Sequence, residues 1–226
     1  MHILEKENAA KEALKYIENN TVVGIGSGST VNLLINLLSN HAKKNNLDIS
    51  VVGASKESER NLLKANLKLV EIENVSYTDV TIDGVDAIDS NLYLIKGGGG
   101  ALFREKVIAK CARKVIIIAD HTKIYKKLEE YNLLPIEVVP FSRAYVERKL
   151  KEMDIEYKIR YKEGKLFITD NGNYIFDVII GKHRIALLEK ELRSITGVVE
   201  TGYFEKIANV AIIGYEDHVD TLTNEV

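Results

Sequence analysis

KGGGGALFREK, from Lys96 to Lys106, follows the apolar run Leu92-Tyr93-Leu94-Ile95 and precedes a segment of helical spacing that continues to Cys111. The pattern predicts a buried strand ending at Lys96, a turn of Gly97, Gly98, Gly99 and Gly100, and a helix over 101–111. Glycines at a strand-to-helix turn let backbone N–H groups come close to a ligand. The helix they open adds its positive end to the same spot. Glu105 falls in or just past the first turn, so a carboxylate and the Lys96 ammonium can flank a glycine-walled pocket. That layout can move a proton beside a developing oxyanion. A glycine run can equally be a flexible turn, and a glutamate early in a helix complements the helix dipole. The rest of the chain has to decide.

Upstream, helices and short apolar strands alternate. Helices are expected at 5–19, 31–42 and 56–65, and strands at 21–25, 49–54, 68–71 and 80–82. The strand at 92–96, the helix at 101–111 and the very apolar strand 114–119 continue the pattern. Short apolar strands separated by helices predict an α/β fold: a Rossmann-like, mostly parallel sheet with helices on both faces. Ligands of such sheets bind at the carboxyl ends of the strands. Polar clusters fall at those ends: 26–30, 83–86, 96–100 and 120–123. Turn propensity alone does not place four such clusters on one rim.

The pattern changes near Tyr131. A strand at 136–140, a helix at 143–153, strands at 156–161, 165–169 and 174–180, a helix at 183–194 and a strand at 197–200 follow. Turns at Lys162-Glu163-Gly164 and Asn171-Gly172 separate the middle strands. This order predicts a smaller ferredoxin-like α+β unit over 131–205. The apolar strand 210–215 is expected to rejoin the first sheet, so that 1–130 and 206–226 make the larger, catalytic domain.

With 226 residues the chain can bury a proper core. Lys plus Arg number 31 against 33 Asp plus Glu, with no long block of one sign, so no nucleic acid or anionic membrane is expected as a partner. The first residues read as a charged amphipathic helix rather than a signal peptide, and no apolar run reaches membrane-spanning length, which gives a cytoplasmic expectation. The lone Cys111 excludes an intramolecular disulfide and reads as a buried, inert thiol in a helix.

GIGSGST, Gly24 to Thr30, matches neither well-known glycine loop. It lacks the lysine of a P-loop, and Ser29 stands where a dinucleotide fingerprint needs glycine. The hydroxyls of Ser27, Ser29 and Thr30, with Gly28 between them, can hold one phosphate at the following helix. Ser and Thr also favour helix N-caps, but three hydroxyls exceed what a cap requires. Asp83 and Asp86 flank Gly84-Val85; such a pair can bind a metal, cap a turn or hydrogen-bond sugar hydroxyls, and the lack of a nearby histidine weakens the metal option. Asp89 reads as turn or cap chemistry. Of the histidines, only His121 falls on the proposed rim.

The motifs GIGSGST with its preceding Lys6 helix, DGVDAID, KGGGGALFREK, IIIADHTKI, LPIEVVPF, ITDNGNYIFDV and GVVETGYF occur in this order. Together they resemble the ribose-5-phosphate isomerases of the A type, nearly end to end. Departures are mild: Ser27 stands where many members have Thr, and Phe103 and His121 stand where other residues are usual. The resemblance implies interconversion of D-ribose 5-phosphate and D-ribulose 5-phosphate through an enediolate, in the non-oxidative pentose phosphate pathway, with no cofactor and no metal. It implies Glu105 as the base, with Lys96 and the N–H groups of Gly97, Gly98 and Gly99 on the enediolate oxygens. Asp83 and Asp86 would bind hydroxyls and help open the furanose ring. Lys6 and the loop Ser27, Gly28, Ser29 and Thr30 would take the phosphate, with Gly84, Val85 and Lys123 in contact with substrate. Members form homodimers or homotetramers, and the smaller unit is expected to serve assembly. Two rivals remain at this point. A non-catalytic sugar-phosphate sensor would keep the phosphate loop without needing Glu105, and an amino-sugar phosphate deaminase-isomerase is not expected to carry KGGGGALFREK.

Overall fold

The computed structural model describes residues 2–223. The first part of the chain runs α1 (Ile3–Ala13), β1 (Thr21–Ile25), α2 (Ser29–Asn45), β2 (Ile49–Gly53), α3 (Lys56–Lys64), β3 (Lys68–Leu69) and β4 (Val80–Asp83). Then come β5 (Ala87–Ile88), β6 (Leu94–Ile95), α4 (Leu102–Lys110) and β7 (Val115–Asp120). The middle holds β8 (Leu133–Val138), α5 (Arg143–Glu152), β9 (Tyr157–Ile159), β10 (Tyr161–Lys162), β11 (Lys165–Leu166) and β12 (Tyr174–Ile179). The chain closes with α6 (Ile185–Ser194), β13 (Val198–Thr201), β14 (Tyr203–Phe204), β15 (Val210–Gly214) and β16 (Val219–Thr223).

A seven-stranded sheet has the order β16-β15-β7-β4-β1-β2-β3, and every neighbouring pair is parallel except β15 with β16. Its central strands are buried along their whole length, as VIIIAD in β7 and VAIIG in β15 show. Continuous apolar runs of this kind are what a sheet covered on both faces requires. α2 supplies one cover: Val31, Leu34, Ile35, Leu38 and Ala42 recur at helical spacing and are buried with Ala9, Ala10 and Ala13 of α1. The opposite face packs Ala109 of α4 against Val115, Ile117, Ala211 and Ile213.

A second, four-stranded sheet has the order β13-β8-β12-β9, with all neighbours antiparallel and α5 and α6 between its strands in sequence. Strand, helix, two strands, helix, strand is the ferredoxin-like sequence, and the small β10–β11 hairpin is inserted between β9 and β12.

The expected strand at 92–96 departs from the parallel pattern. Only Leu94–Ile95 are extended, and they lie in a separate antiparallel sheet between β5 and β14. The chain reverses after Asp83-Gly84, and Asp89 Oδ1 accepts from the N–H groups of Asn91 and Tyr93 to tie the reversal. β6 therefore returns antiparallel instead of crossing over through a helix. Ile95 and Ala87 share a core with Phe176 and Val178 of the four-stranded sheet. The segment that delivers Lys96 is thus clamped between the two larger sheets. Cys111 also differs from expectation: α4 stops at Lys110, so the thiol sits half-buried at the helix's C-cap.

Candidate active site

Lys96 directly follows β6, and Glu105 projects from the first turn of α4. Both are buried, and Lys96 Nζ lies 3.4 Å from Glu105 Oε2 and 3.0 Å from Asp83 Oδ2. Lys96 Nζ also donates to the carbonyl of Gly84 at 2.6 Å. Among the described residues, Glu105 Oε2 has no hydrogen-bond donor, so the carboxylate meets the ammonium as an ion pair. Asp83, by contrast, accepts from the N–H groups of Ser27 at 3.2 Å and Gly84 at 2.7 Å. Gly26 makes this possible: a Cβ there would overlap the Asp83 carboxylate.

The electrostatics follow from counting charges. One buried ammonium faces Asp83, Glu105 and Asp86. Burial by itself would push Lys96 down, but the three carboxylates overcome it and hold its pKa above the ordinary lysine range. Asp83 and Lys96 neutralise each other, so ionising Glu105 adds an unbalanced negative charge where water is scarce. Burial first, with Asp83 and Asp86 adding to it against Lys96, pushes Glu105 up to about 8. A carboxyl group tuned towards neutral pH suits a general base or acid.

These side chains open onto a cavity of about 120 Å³ lined by Lys6, Ser27, Gly28, Ser29, Thr30, Gly84, Val85, Asp86, Lys96, Gly97, Gly98, Gly99, Glu105 and Lys123. Every site residue expected from sequence lines it except Asp83, which lies behind the wall with both oxygens engaged. Asp83 thus holds Lys96 in place, with Oδ2 at 3.0 Å from Nζ, while its Oδ1 accepts from the loop N–H groups. Of the glycine N–H groups, that of Gly98 donates to Asp86 Oδ2 at 2.7 Å, so it fixes Asp86. The hydroxyl loop is not spent on capping. α2 begins after Gly28 with no side-chain cap, Ser29 Oγ accepts from Lys6 Nζ at 3.0 Å, and Ser27 Oγ lies 3.2 Å from Ser55 Oγ.

Sequence reasoning missed Arg160. Its Nη1 donates to the carbonyls of Gly97 at 2.7 Å and Gly98 at 3.0 Å, while Asp177 holds the rest of the guanidinium. The four-stranded sheet thereby grips the glycine turn. An arginine beside strand tyrosines carries no local signal for such a contact, because its partners lie more than sixty positions away. A larger cavity of about 240 Å³ lies elsewhere, between Leu69–Glu73 and α4, but Glu59, Glu71 and Glu73 give it the wrong sign for a phosphate.

A buried carboxylate beside a trapped ammonium, with an anion loop across the same cavity and a parallel sheet beneath, defines the class: an α/β protein equipped for proton transfer on a phosphorylated small molecule. Comparison with known proteins narrows the class. The family model of ribose 5-phosphate isomerase A (phosphoriboisomerase A) matches residues 50–218. Ribose-5-phosphate isomerase A of Archaeoglobus fulgidus is 40% identical over 213 residues, covering 92% of this chain and 93% of that one. The Staphylococcus haemolyticus protein of the same name is 42% identical over 210 residues, 92% and 91% of the two chains. The solved structure of ribose 5-phosphate isomerase A from Methanocaldococcus jannaschii superposes with a TM-score of 0.93 at 35% identity, covering 99% of this chain and all of that one. A D-ribose-5-phosphate isomerase in complex with phospho-erythronic acid superposes at 0.91 with 35% identity over 97% of both chains. The chain belongs to the ribose 5-phosphate isomerase A family.

Proposed function

We propose that the chain interconverts D-ribose 5-phosphate and D-ribulose 5-phosphate, with Glu105 carrying the proton. The observation that carries this reading is the buried Glu105 Oε2, ion-paired at 3.4 Å with Lys96 Nζ, on the same cavity as the Lys6–Ser29 anion loop. In the open-chain aldose, Glu105 takes the proton from C2. The C2–H electron pair becomes the C1–C2 double bond, and the carbonyl electrons move onto O1. Lys96 stabilises the charge at O1 while the O2 hydroxyl proton passes to O1. Glu105 then returns its proton to C1, leaving the ketone at C2. One carboxylate can serve both carbons because they are adjacent. Lys6, Lys123 and the hydroxyls of Ser27, Ser29 and Thr30 hold the phosphate, and Asp86, fixed by the Gly98 N–H, meets sugar hydroxyls during ring opening. Phospho-erythronic acid, bound by one related isomerase, is a four-carbon sugar acid phosphate whose planar, charged carboxyl carbon corresponds, counted from the phosphate, to C2 of the pentose, which supports the same assignment. A sensor would need none of this proton machinery.

The test is conversion of ribose 5-phosphate in EDTA, with phospho-erythronic acid as competitor. Turnover in chelator and competitive inhibition are expected; no turnover on any pentose 5-phosphate sinks the reading. Residues 131–205 form, on the same proposal, a smaller domain that builds a homodimer or homotetramer. The exposed Phe141, Tyr161, Ile168 and Leu187 support this, and light scattering that returned a monomer at micromolar concentration would refute it. Among the described residues, no helix is long and apolar enough to cross a membrane.

A further inference from the structure

His2, Glu5 and His121 converge at a point that the isomerase chemistry does not use. His2 Nδ1 lies 2.9 Å from Glu5 Oε1, and His121 Nδ1 lies 2.7 Å from Glu5 Oε2. One donor atom from each can be chosen so that all lie within 4.8 Å of one another. Glu5 is 4% exposed, whereas the two imidazoles are partly open to solvent. We propose that these three side chains form a binding site for a zinc-like divalent transition-metal ion, which clasps the start of α1 to the segment that follows β7.

The donor chemistry selects the ion. Two imidazole nitrogens and one carboxylate oxygen suit borderline metals such as Zn²⁺ or Co²⁺, while Ca²⁺ and Mg²⁺ want oxygen ligands alone. Tetrahedral bonds of ~2.1 Å put neighbouring donors ~3.4 Å apart. The two rings contact different Glu5 oxygens, at 2.9 Å and 2.7 Å, so an ion held by one of those oxygens needs that nitrogen–oxygen pair opened by about 0.5–0.7 Å and the other ring drawn in from within the 4.8 Å spread of the donors, shifts that half-exposed rings can make. Three protein ligands would leave a fourth position for water.

The surroundings fix the central ligand and one ring. Gly214 packs so closely on the backbone of Glu5 that a Cβ there would overlap the Glu5 carbonyl, and Asn8 Nδ2 donates to Tyr215 O at 2.9 Å. The His121 ring stacks on Tyr215, with centroids 5.7 Å apart and planes 16° apart. Such outer contacts orient metal-binding histidines. The positive end of α1 opposes a cation, and the Glu5 charge lies between the rings to offset it. Lys6 follows Glu5 directly and Lys123 lies two residues after His121, so a clasp here would steady the two lysines that line the substrate cavity.

Without metal, the same cluster is a complete histidine–glutamate–histidine hydrogen-bond triad, and the experiment separates the two. Protein stripped with EDTA and then dialysed free of it is titrated with Zn²⁺ by calorimetry, and with Co²⁺ by visible absorption. The wild type, His2→Ala, His121→Ala and His218→Ala are compared, after circular dichroism shows each folded. The expected result is one saturable Zn²⁺ per chain, affinity at least ~10-fold weaker in His2→Ala and in His121→Ala, and no change in His218→Ala. Zn²⁺ at a hundred times its Kd should also raise the melting temperature of the wild type by ~5 °C or more and that of His121→Ala much less. Equal affinity in all four proteins, loss in His218→Ala to the same degree, or no saturable binding to the wild type would each overturn the proposal in favour of the bare triad.

Discussion

Replacing Glu105 by glutamine should make the protein more stable relative to wild type as pH rises, while destroying its activity. The folded carboxyl titrates at about 8 and the ordinary carboxylate at 4.5. Between those values the folded protein keeps a proton that the unfolded chain has lost, so wild-type stability falls as pH rises, and the penalty is complete above about 8. At ~1.4 kcal/mol per pH unit the ceiling is ~5 kcal/mol. Lys96 and the neighbouring carboxylates readjust together, so about 1–3 kcal/mol is the working expectation. The glutamine side chain carries no charge and escapes this penalty, although its amide gives back part of the gain by needing partners. The assay is urea unfolding of wild type and Glu105→Gln at pH 5 and pH 8.5, read as the difference in unfolding free energy at unchanged m. Titrating groups remote from Glu105 are common to both proteins and cancel in that difference. A difference that is the same at the two pH values, or that moves against the variant at pH 8.5, would refute the buried, unbalanced carboxylate.

The same titration should appear in catalysis: kcat/KM should rise with pH, pass half its plateau near 8 and level off above it as the base ionises, and a flat profile between pH 6 and 8 would contradict it. Gly26→Ala should cost ~1–3 kcal/mol in stability and lower kcat, because the new methyl group pushes on the Asp83 carboxylate that holds Lys96. Calorimetry and steady-state rates check both effects. Lys6→Ala should raise KM ~10- to 100-fold and change kcat little, as expected for a charged contact to a phosphate that does not react. An equal fall in kcat would move Lys6 into the chemistry.

Much of the candidate site was legible because the residues of each part are local in sequence. The glycine turn, the hydroxyl loop and the Asp83–Asp86 segment each declare themselves within a few positions, and the parallel sheet brings their ends together. The reading of KGGGGALFREK as a strand–turn–helix holds, but the sheet to which its strand belongs was not legible. Leu94 and Ile95 are apolar in either setting, and only the partners Ala87–Ile88 and Tyr203–Phe204, two-residue strands too short to show a period, decide it. The edge strand Val219–Thr223 was missed because alternation there is weak and mostly polar. Asp83 and Asp86 looked equivalent in sequence. Their difference comes from Gly26, whose missing side chain lets one carboxylate sink behind the cavity, and from Gly98, whose N–H anchors the other at its wall. Arg160 and the His2–Glu5–His121 cluster depend on contacts between distant segments, which no spacing rule records.

If Glu105 moves the proton in ribose 5-phosphate isomerisation, its removal must abolish turnover without abolishing binding. The measurement that tests it most directly is the initial rate of ribulose 5-phosphate formation by wild type and Glu105→Gln at pH 8, at saturating ribose 5-phosphate. A loss of at least ~10³-fold in kcat is expected for Glu105→Gln, with the substrate still bound. Rates within tenfold of each other would remove Glu105 as the base and the proposed mechanism with it.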